Sequence, residues 1–365
     1  MAYRVTPSFW AGKRVFVTGH TGFKGMWLCR MLAVLGAETA GYALDAPTVE
    51  GEELLRMPGM NACRRSIYGD VRNLDALEKA VRGWQPEIVF HLAAQPIVSE
   101  GYRNPEGTYS TNVMGTVNLL ECVRQTDTVK SVVNVTTDKV YRNREWVWGY
   151  RERDDLDGFD PYASSKSCSE LVTRCYRRSF FADGRVAIST ARAGNVIGGG
   201  DFAHNRIVPD CIRAAAQGKP IGVRNPHSVR PYQHVLDPLY AYLLIAEMQH
   251  RDIKFADSYN VGPTESDCVT TGELASMFSE IWGDGQAWEA VEREMPPESN
   301  TLRLDCAHLR SVFGWSPQWN IHRALKKTIE WAKIYFSQGD VALCMDHQIE
   351  EFLSGGKAHE EAGDA

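Results

Sequence analysis

Short runs of β-branched and apolar residues alternate with longer stretches of helical periodicity through the first half of the chain. Arg14–Thr18 (RVFVT) has the composition of a strand, and a glycine-rich turn follows it. Trp27, Leu28, Met31, Leu32 and Leu35 then recur at i, i+1, i+4, i+5 and i+8, which places them on one helix face. Strand-like runs follow at Thr39–Leu44, Arg65–Tyr68, Glu87–Ala93 and Ser131–Thr136, with helical stretches near Asp75–Gly83 and Thr108–Gln125 between them. Asp160 as N-cap and Pro161 at the first helical position announce another helix, ending near Gly184. Val186–Ala191 is one more strand. This alternation predicts an α/β fold built on a doubly wound, parallel, Rossmann-type sheet. From about residue 192 the texture turns irregular, with NVIGGGD, KPIGVRNP and loops rich in Arg and Pro. A smaller α/β domain is therefore predicted for 192–232 plus about 263–350. The sheet domain takes 9–191 plus about 233–262, with a helix at Asp237–Gln249 packing back on it. The polar tail, 354–365, is expected to be flexible.

At 365 residues the chain has room for about two domains of roughly 150 residues each. Its 40 Lys and Arg against 46 Asp and Glu leave a net charge of −6, which argues against a nucleic-acid or anionic-membrane surface. A small anionic ligand stays open, because a few local arginines suffice for one. The longest nearly unbroken apolar run, Leu239 to Met248, is far short of the ~20 residues that span a bilayer. The opening MAYRVTPSFWAGKR has no apolar signal-peptide core, so a soluble, cytoplasmic protein is expected. Nine cysteines show no C-x-x-C spacing, and buried free thiols are the expectation for them. No two of His20, His91 and His234 have ligand-like helical spacing with a third ligand nearby, so no metal is expected.

Candidate chemistry begins at Thr18-Gly19-His20-Thr21-Gly22-Phe23-Lys24-Gly25, directly after a strand and directly before a helix. Glycines there permit a tight turn and close backbone approach, so a pyrophosphate can sit on the helix N-terminus. The spacing is G-x-x-G-x-x-G. Gly19, Thr21, Gly22, Phe23, Lys24 and Gly25 are the candidate dinucleotide contacts, with Ala93 at the end of the fourth strand. Asp45, 20 residues beyond Gly25, stands where a carboxylate accepts hydrogen bonds from an adenosine ribose and repels a 2′-phosphate, which favours NAD over NADP. Asp-Ala-Pro-Thr is also good turn chemistry, so a plain turn is the competing reading. Asp70 and Val71 are candidates for the adenine, or simply a strand end.

Tyr162-Ala-Ser-Ser-Lys166 sets a phenol and an ammonium at i, i+4 near a helix start, projecting from one face. A lysine beside a phenol lowers its pKa from ~10 towards the working pH. The preceding strand ends in Thr136-Thr137-Asp138-Lys139, a hydroxyl, a carboxylate and an amine suited to acid–base work on a sugar.

Together TGHTGFKG, HLAAQP, TDK and YASSK resemble the extended short-chain dehydrogenase/reductase family, from about Phe9 to about Phe336. The most specific words are REWVWGYRE (Arg144–Glu152), RAGNVIGGGD (Arg192–Asp201) and RNPHSVRPYQHVLDPL (Arg224–Leu239). Most sugar-nucleotide dehydratases of that family follow the TD pair with Glu. Lys139 matches the branch that acts on CDP-glucose. The resemblance implies bound NAD, a CDP-glucose substrate and a redox-neutral dehydration serving deoxysugar synthesis. Thr137, Asp138, Lys139, Tyr162 and Lys166 would be catalytic, with Tyr162 and Lys166 also touching NAD. Asn195, Arg206, Arg224 and Arg230 would hold the substrate. The family also implies a homodimer or homotetramer, associating through helices like Thr108–Gln125 and Asp160–Asp183. Two departures stand out: Met26 where Ser is usual, and Ser99 where related chains often carry Arg. An epimerase or dehydratase acting on a UDP- or dTDP-sugar would share Tyr162 and Lys166 without needing Asp138 and Lys139 as a pair. A non-catalytic NAD(P)-binding regulator is the other alternative.

Overall fold

The computed structural model describes residues 2–46, 48–291 and 301–355. Among them are β1 (Arg14–Thr18), β2 (Glu38–Ala43), β3 (Arg65–Tyr68), β4 (Ile88–His91), β5 (Ser131–Thr137), β6 (Ala187–Ala193), β7 (Asn195–Ile197), β8 (Ile221–Val223), β9 (Val229–His234), β10 (Ser258–Val261), β11 (Cys268–Thr270) and β12 (Trp288–Ala290). The main sheet runs β3-β2-β1-β4-β5-β6-β10. Every neighbouring pair in it is parallel. A three-stranded sheet, β11-β9-β7, and the pair β12-β8 make up the rest.

A parallel sheet is covered on both faces, and β5 shows the consequence. All seven of its residues (SVVNVTT) are buried, so it is written as a continuous β-branched run rather than an alternation. Its one amide, Asn134, donates through Nδ2 to the Ser169 and Thr173 hydroxyls on the helix Pro161–Ser179, at 3.0 and 2.8 Å. On one face Trp27, Leu28, Met31 and Leu32 join Leu239, Leu243 and Leu244 in a core. On the other, Leu77, Val81, Leu119, Leu120 and Val123 form a second one. Each such side chain contributes about 1.5–3 kcal/mol through burial.

Several elements differ from the sequence expectation. The helix Phe23–Val34 buries Met26, Cys29 and Arg30 as well as its predicted face. The helix Val341–Leu353 covers that other side, and Arg30 pairs with Asp346 at 2.6 Å. Thr108–Gln125 is not one regular helix. Pro105–Tyr109 is followed by a π-helical turn, Ser110–Met114, and then by Gly115–Arg124. The cause is Asn112, whose amide donates to the Gln95 carbonyl (3.1 Å) and to Ser165 (2.8 Å), tying the turn to the Tyr162 helix. That helix starts as expected, with Asp160 accepting from the Ala163 amide at 3.0 Å, but it stops at Ser179. Phe181 then turns inward to bury itself in the second core. β10 has no strand signal in the sequence; its four residues are placed by pairing with β6.

All nine cysteines are free, five buried and Cys175 exposed. Among the described residues no helix is long and apolar enough to cross a membrane. The tail expected to be flexible lies, beyond Gly355, outside the described residues.

Candidate active site

The strand order reverses between β1 and β4, and at that switch point a doubly wound sheet opens its ligand crevice. The glycine loop sits there. Gly19 has φ +77°, and a Cβ on it would stand 2.7 Å from the Ala93 amide nitrogen. A Cβ on Gly25 would meet the Gly19 carbonyl at 2.1 Å, so the first and third glycines are fixed by the chain's own packing. Gly22 differs. Its nearest neighbour would be 3.5 Å away, ordinary contact, so nothing in the chain demands a glycine. It is the N-cap of Phe23–Val34, and the first turn carries neither a capping side chain nor an acidic residue. The bare helix start beside Gly22, Phe23 and Lys24 therefore fits a dinucleotide pyrophosphate. Thr21 bonds the Leu44 carbonyl at 2.9 Å, and the Ala93 amide bonds Thr18 at 3.2 Å, so both brace this turn. Met26 packs behind it, its Cε 3.2 Å from where a Cβ on Gly200 would stand.

Asp45 is exposed just past the end of β2, and its side chain makes no hydrogen bond among the described residues. It is open to a ribose. Asp70 is committed to Arg72 through an ion pair at 2.5 Å, which holds its carboxyl below the usual range. Val71 is buried, and its carbonyl accepts from Asn118 at 2.9 Å.

β5 delivers its end residues to the same edge. Asp138 is fully buried. One of its oxygens accepts from the Thr137 hydroxyl at 3.0 Å and from the Lys139 ammonium at 3.1 Å. The other, Oδ2, is buried without a partner. Gly194 faces it, and a Cβ there would stand 3.1 Å away. Tyr162 and Lys166 are buried beside this group. Lys166 Nζ donates to the Val135 carbonyl at 3.1 Å. Burial pushes the Tyr162 phenol above its ordinary value of 10, against the Lys139 charge and the Thr137 hydroxyl. The net shift is thus upward in the free chain, opposite to the expected lowering by Lys166. The reason is burial, the largest effect on the phenol; Lys166 is turned to the β5 backbone, and Lys139 is the main cation opposing the rise. Burial lowers Lys166 itself to about 8, with Glu170 pulling it back up.

Lys24 was expected to serve through the glycine turn, yet its amine also belongs to the catalytic group. Burial, then the Arg206 charge, lowers it to about 7, with Asp138 the one anion that raises it. A lysine in the first turn of a helix opposes the macrodipole, a signal available in the sequence. Arg206 caps Ile207–Ala216, pairs with Asp201 at 3.1 Å and acts on both Lys24 and Tyr162. Asn195 opens β7 immediately after Gly194, and Arg230 is buried on β9. Arg224 stands apart from the catalytic side chains, held by the Asn205 carbonyl at 3.0 Å. Lys24, Lys139, Lys166 and Arg206 together make the cleft attractive to anions. The histidines are used structurally: His20 bonds Ser66 at 2.6 Å, His91 bonds Thr18 at 2.7 Å, and His234 receives the Leu236 amide at 3.3 Å. Burial lowers them to about 4, 3 and 3.

Sequence reasoning missed the support behind this site. Arg192 on β6 and Glu170, one helical turn beyond Lys166, form a fully buried ion pair at 2.7 Å. Arg192 also reaches Tyr141 at 2.7 Å, just after the Asp138–Lys139 turn, so one pair braces both catalytic segments. The K-x-x-x-E spacing was the only local hint.

The model of the GDP-mannose 4,6 dehydratase family matches residues 16–328. The chain belongs to that family. It is 44% identical to the CDP-glucose 4,6-dehydratase of Salmonella typhimurium, over 96% of this chain and 99% of that one. Among solved structures, the UDP-glucose 4-epimerase of Thermus thermophilus in complex with NAD superposes with a TM-score of 0.76 at 25% identity, covering 88% of this chain and 99% of the other. The dTDP-glucose 4,6-dehydratase of Streptomyces venezuelae, with NAD bound, gives 0.74 at 23% identity over 90% and 99%.

Proposed function

We propose that the chain is an NAD-dependent CDP-glucose 4,6-dehydratase, a lyase that converts CDP-glucose to CDP-4-dehydro-6-deoxy-glucose and water. The observation that carries this is the convergence of two acid–base sets, Tyr162–Lys166 and Asp138–Lys139, at the end of one strand. Oxidation at C4 alone needs only the first. Near-complete coverage of a CDP-glucose 4,6-dehydratase at 44% identity supports the nucleotide.

NAD, when bound, would supply the hydride acceptor for oxidation at C4 and the donor for reduction at C6, unchanged over a turnover. Gly19, Thr21, Gly22, Phe23, Lys24 and Gly25 would hold it, with Asp45 for the ribose and Asp70, Val71 and Ala93 for the adenosine side. Tyr162 takes the proton from the sugar O4, with the Thr137 hydroxyl and the Lys139 charge stabilising the phenolate and Lys166 held beside it on the β5 backbone. The resulting ketone acidifies C5–H. Lys139 lies 3.1 Å from Asp138 Oδ1, so passing its proton to the carboxylate makes a neutral amine and a carboxylic acid together. Lys139 then removes the C5 proton while Asp138 protonates the departing C6 hydroxyl. Asn195, Arg206 and Arg230 hold the substrate pyrophosphate through charge-assisted bonds.

The sugar nucleotide is assigned to the 192–232 and 263–350 part, and NAD to 9–191 with 233–262. Exposed Tyr102, Tyr109, Met114, Leu171 and Phe180, on or beside the 98–124 and 161–179 helices, support a homodimer or homotetramer closed there, which we place in the cytoplasm. The test is direct: incubate the purified protein and NAD with CDP-, dTDP- and UDP-glucose and find by mass which loses one water. Loss from CDP-glucose is expected; preference for another nucleotide, or no loss, rejects the reading.

A further inference from the structure

Next to Arg206 lies a cavity of about 430 Å³, lined by His204, Asn205, Asp210, Gly222, Arg224 and Val291. Small-molecule pockets fall at about 300–1,000 Å³. Arg206 joins this cavity to the catalytic group: it follows Asn205 in the wall, and its charge acts on Tyr162. Asn205 has a left-handed backbone, φ +63°, a conformation that costs energy for a residue with a Cβ. With that turn in place, its carbonyl accepts from Arg224 at 3.0 Å. A Cβ on Gly222 would stand 3.3 Å from both Val291 methyls, so a glycine keeps that wall flat. Asp210 is bonded by Arg213 and lies 3.8 Å from Arg224, with its side chain 33% and that of Arg224 23% exposed.

We propose that this cavity takes the nucleobase of the sugar nucleotide, and that Asp210 with Arg224 selects cytosine over uracil and thymine. This rests on the dehydratase reading, which supplies a pyrophosphate at Arg206 and hence a base beside it. Cytosine presents its N4 amine as a donor next to two acceptors, N3 and O2, whereas uracil and thymine present O4 as an acceptor next to an N3–H donor. A carboxylate only accepts and a guanidinium only donates. Asp210 beside Arg224 therefore matches the edge of cytosine. Against uracil the same pair sets a carboxylate on O4 and a cation on N3–H, a mismatch on both sides. The bare wall of Gly222 and Val291 receives the ring face.

The test is calorimetric titration of the protein with CDP and with UDP, for the wild type and for Asp210→Asn. The wild type is expected to favour CDP by roughly tenfold or more. In Asp210→Asn the new amide can donate to O4, so UDP binding should strengthen while CDP binding weakens, bringing the preference below about threefold. A misfolded variant cannot gain affinity for UDP, which separates recognition from loss of structure. Equal affinities in the wild type, or an unchanged preference in Asp210→Asn, overturn the proposal. Failure of the dehydratase reading shows elsewhere, as a wild type that removes water from no sugar nucleotide while its CDP preference persists.

Discussion

Replacing Arg192 by Met should destabilise the protein strongly at neutral pH and much less in acid. Arg192 grips Glu170 with bonds of 2.9 and 2.7 Å and spends its third nitrogen on Tyr141 (2.7 Å) and the Glu152 carbonyl (3.1 Å). Without it, Glu170 is left 1% exposed with only the Thr136 and Thr190 hydroxyls as donors. Breaking a buried pair from one side costs about 3–5 kcal/mol. The pH dependence follows from the carboxyl. Burial pushes Glu170 up, but the Arg192 charge and the hydrogen bonds outweigh it and hold the group below 4.5. In the wild type this stabilisation is fully present above the unfolded pKa and is lost as pH falls through the folded one. In Arg192→Met the burial effect dominates, the folded pKa rises, and folding takes up a proton. The gap between the two proteins should therefore be largest near pH 8 and shrink towards about pH 5.5. Urea unfolding at the two pH values measures it. Adding Glu170→Gln to the variant should recover a sizeable part of the loss, because the uncompensated charge is gone. A loss below about 1 kcal/mol, or a gap that does not change with pH, would refute the reasoning.

Other expectations are open to measurement. Lys24, lowered to about 7 in the free protein, should take up close to one proton when an anionic dinucleotide binds at about pH 8. Calorimetry in buffers of different ionisation enthalpy reads the uptake, affinity should weaken as pH rises above about 7, and Lys24→Met should abolish both effects. Tyr162→Phe should leave bound cofactor oxidised when CDP-glucose is added. Lys139→Met should instead accumulate bound NADH and slow solvent deuterium entry at C5; near-native turnover would make Lys139 structural. Asp45→Ser with a neighbouring Arg should shift preference towards NADP, and an unchanged preference would leave Asp45 a turn residue. Arg230→Ala should raise KM for the sugar nucleotide roughly 30- to 150-fold, and a change below about twofold would remove Arg230 from the binding set.

What was legible in the sequence is what the local pattern dictates. β1 and β3 fall where the strand-like runs put them, and Asp160 caps its helix, because local strand propensity and cap chemistry act over a few residues. The glycine turn announces itself for the same reason. Features that depend on distant partners left little trace. The π-turn at Ser110–Met114 exists because Asn112 reaches Gln95 and Ser165. The second burial face of Phe23–Val34 exists because the chain returns more than three hundred residues later with Asp346. Glu170 and Arg192 meet only after two strands are paired. Spacing puts Lys166 on the same face as the phenol, but it shows neither how deeply the phenol is buried, which raises it, nor which carbonyl the ammonium chooses.

The most direct measurement of the central claim is the fate of the C4 hydrogen. The purified protein is supplied with NAD and CDP-glucose deuterated at C4, and the product is examined by mass spectrometry and NMR. An internal hydride transfer requires CDP-4-dehydro-6-deoxy-glucose carrying the deuterium at C6, with no net NADH in solution. Deuterium released into solution as free NADD with water still on the sugar, or found at C4 of an epimerised product, would contradict it.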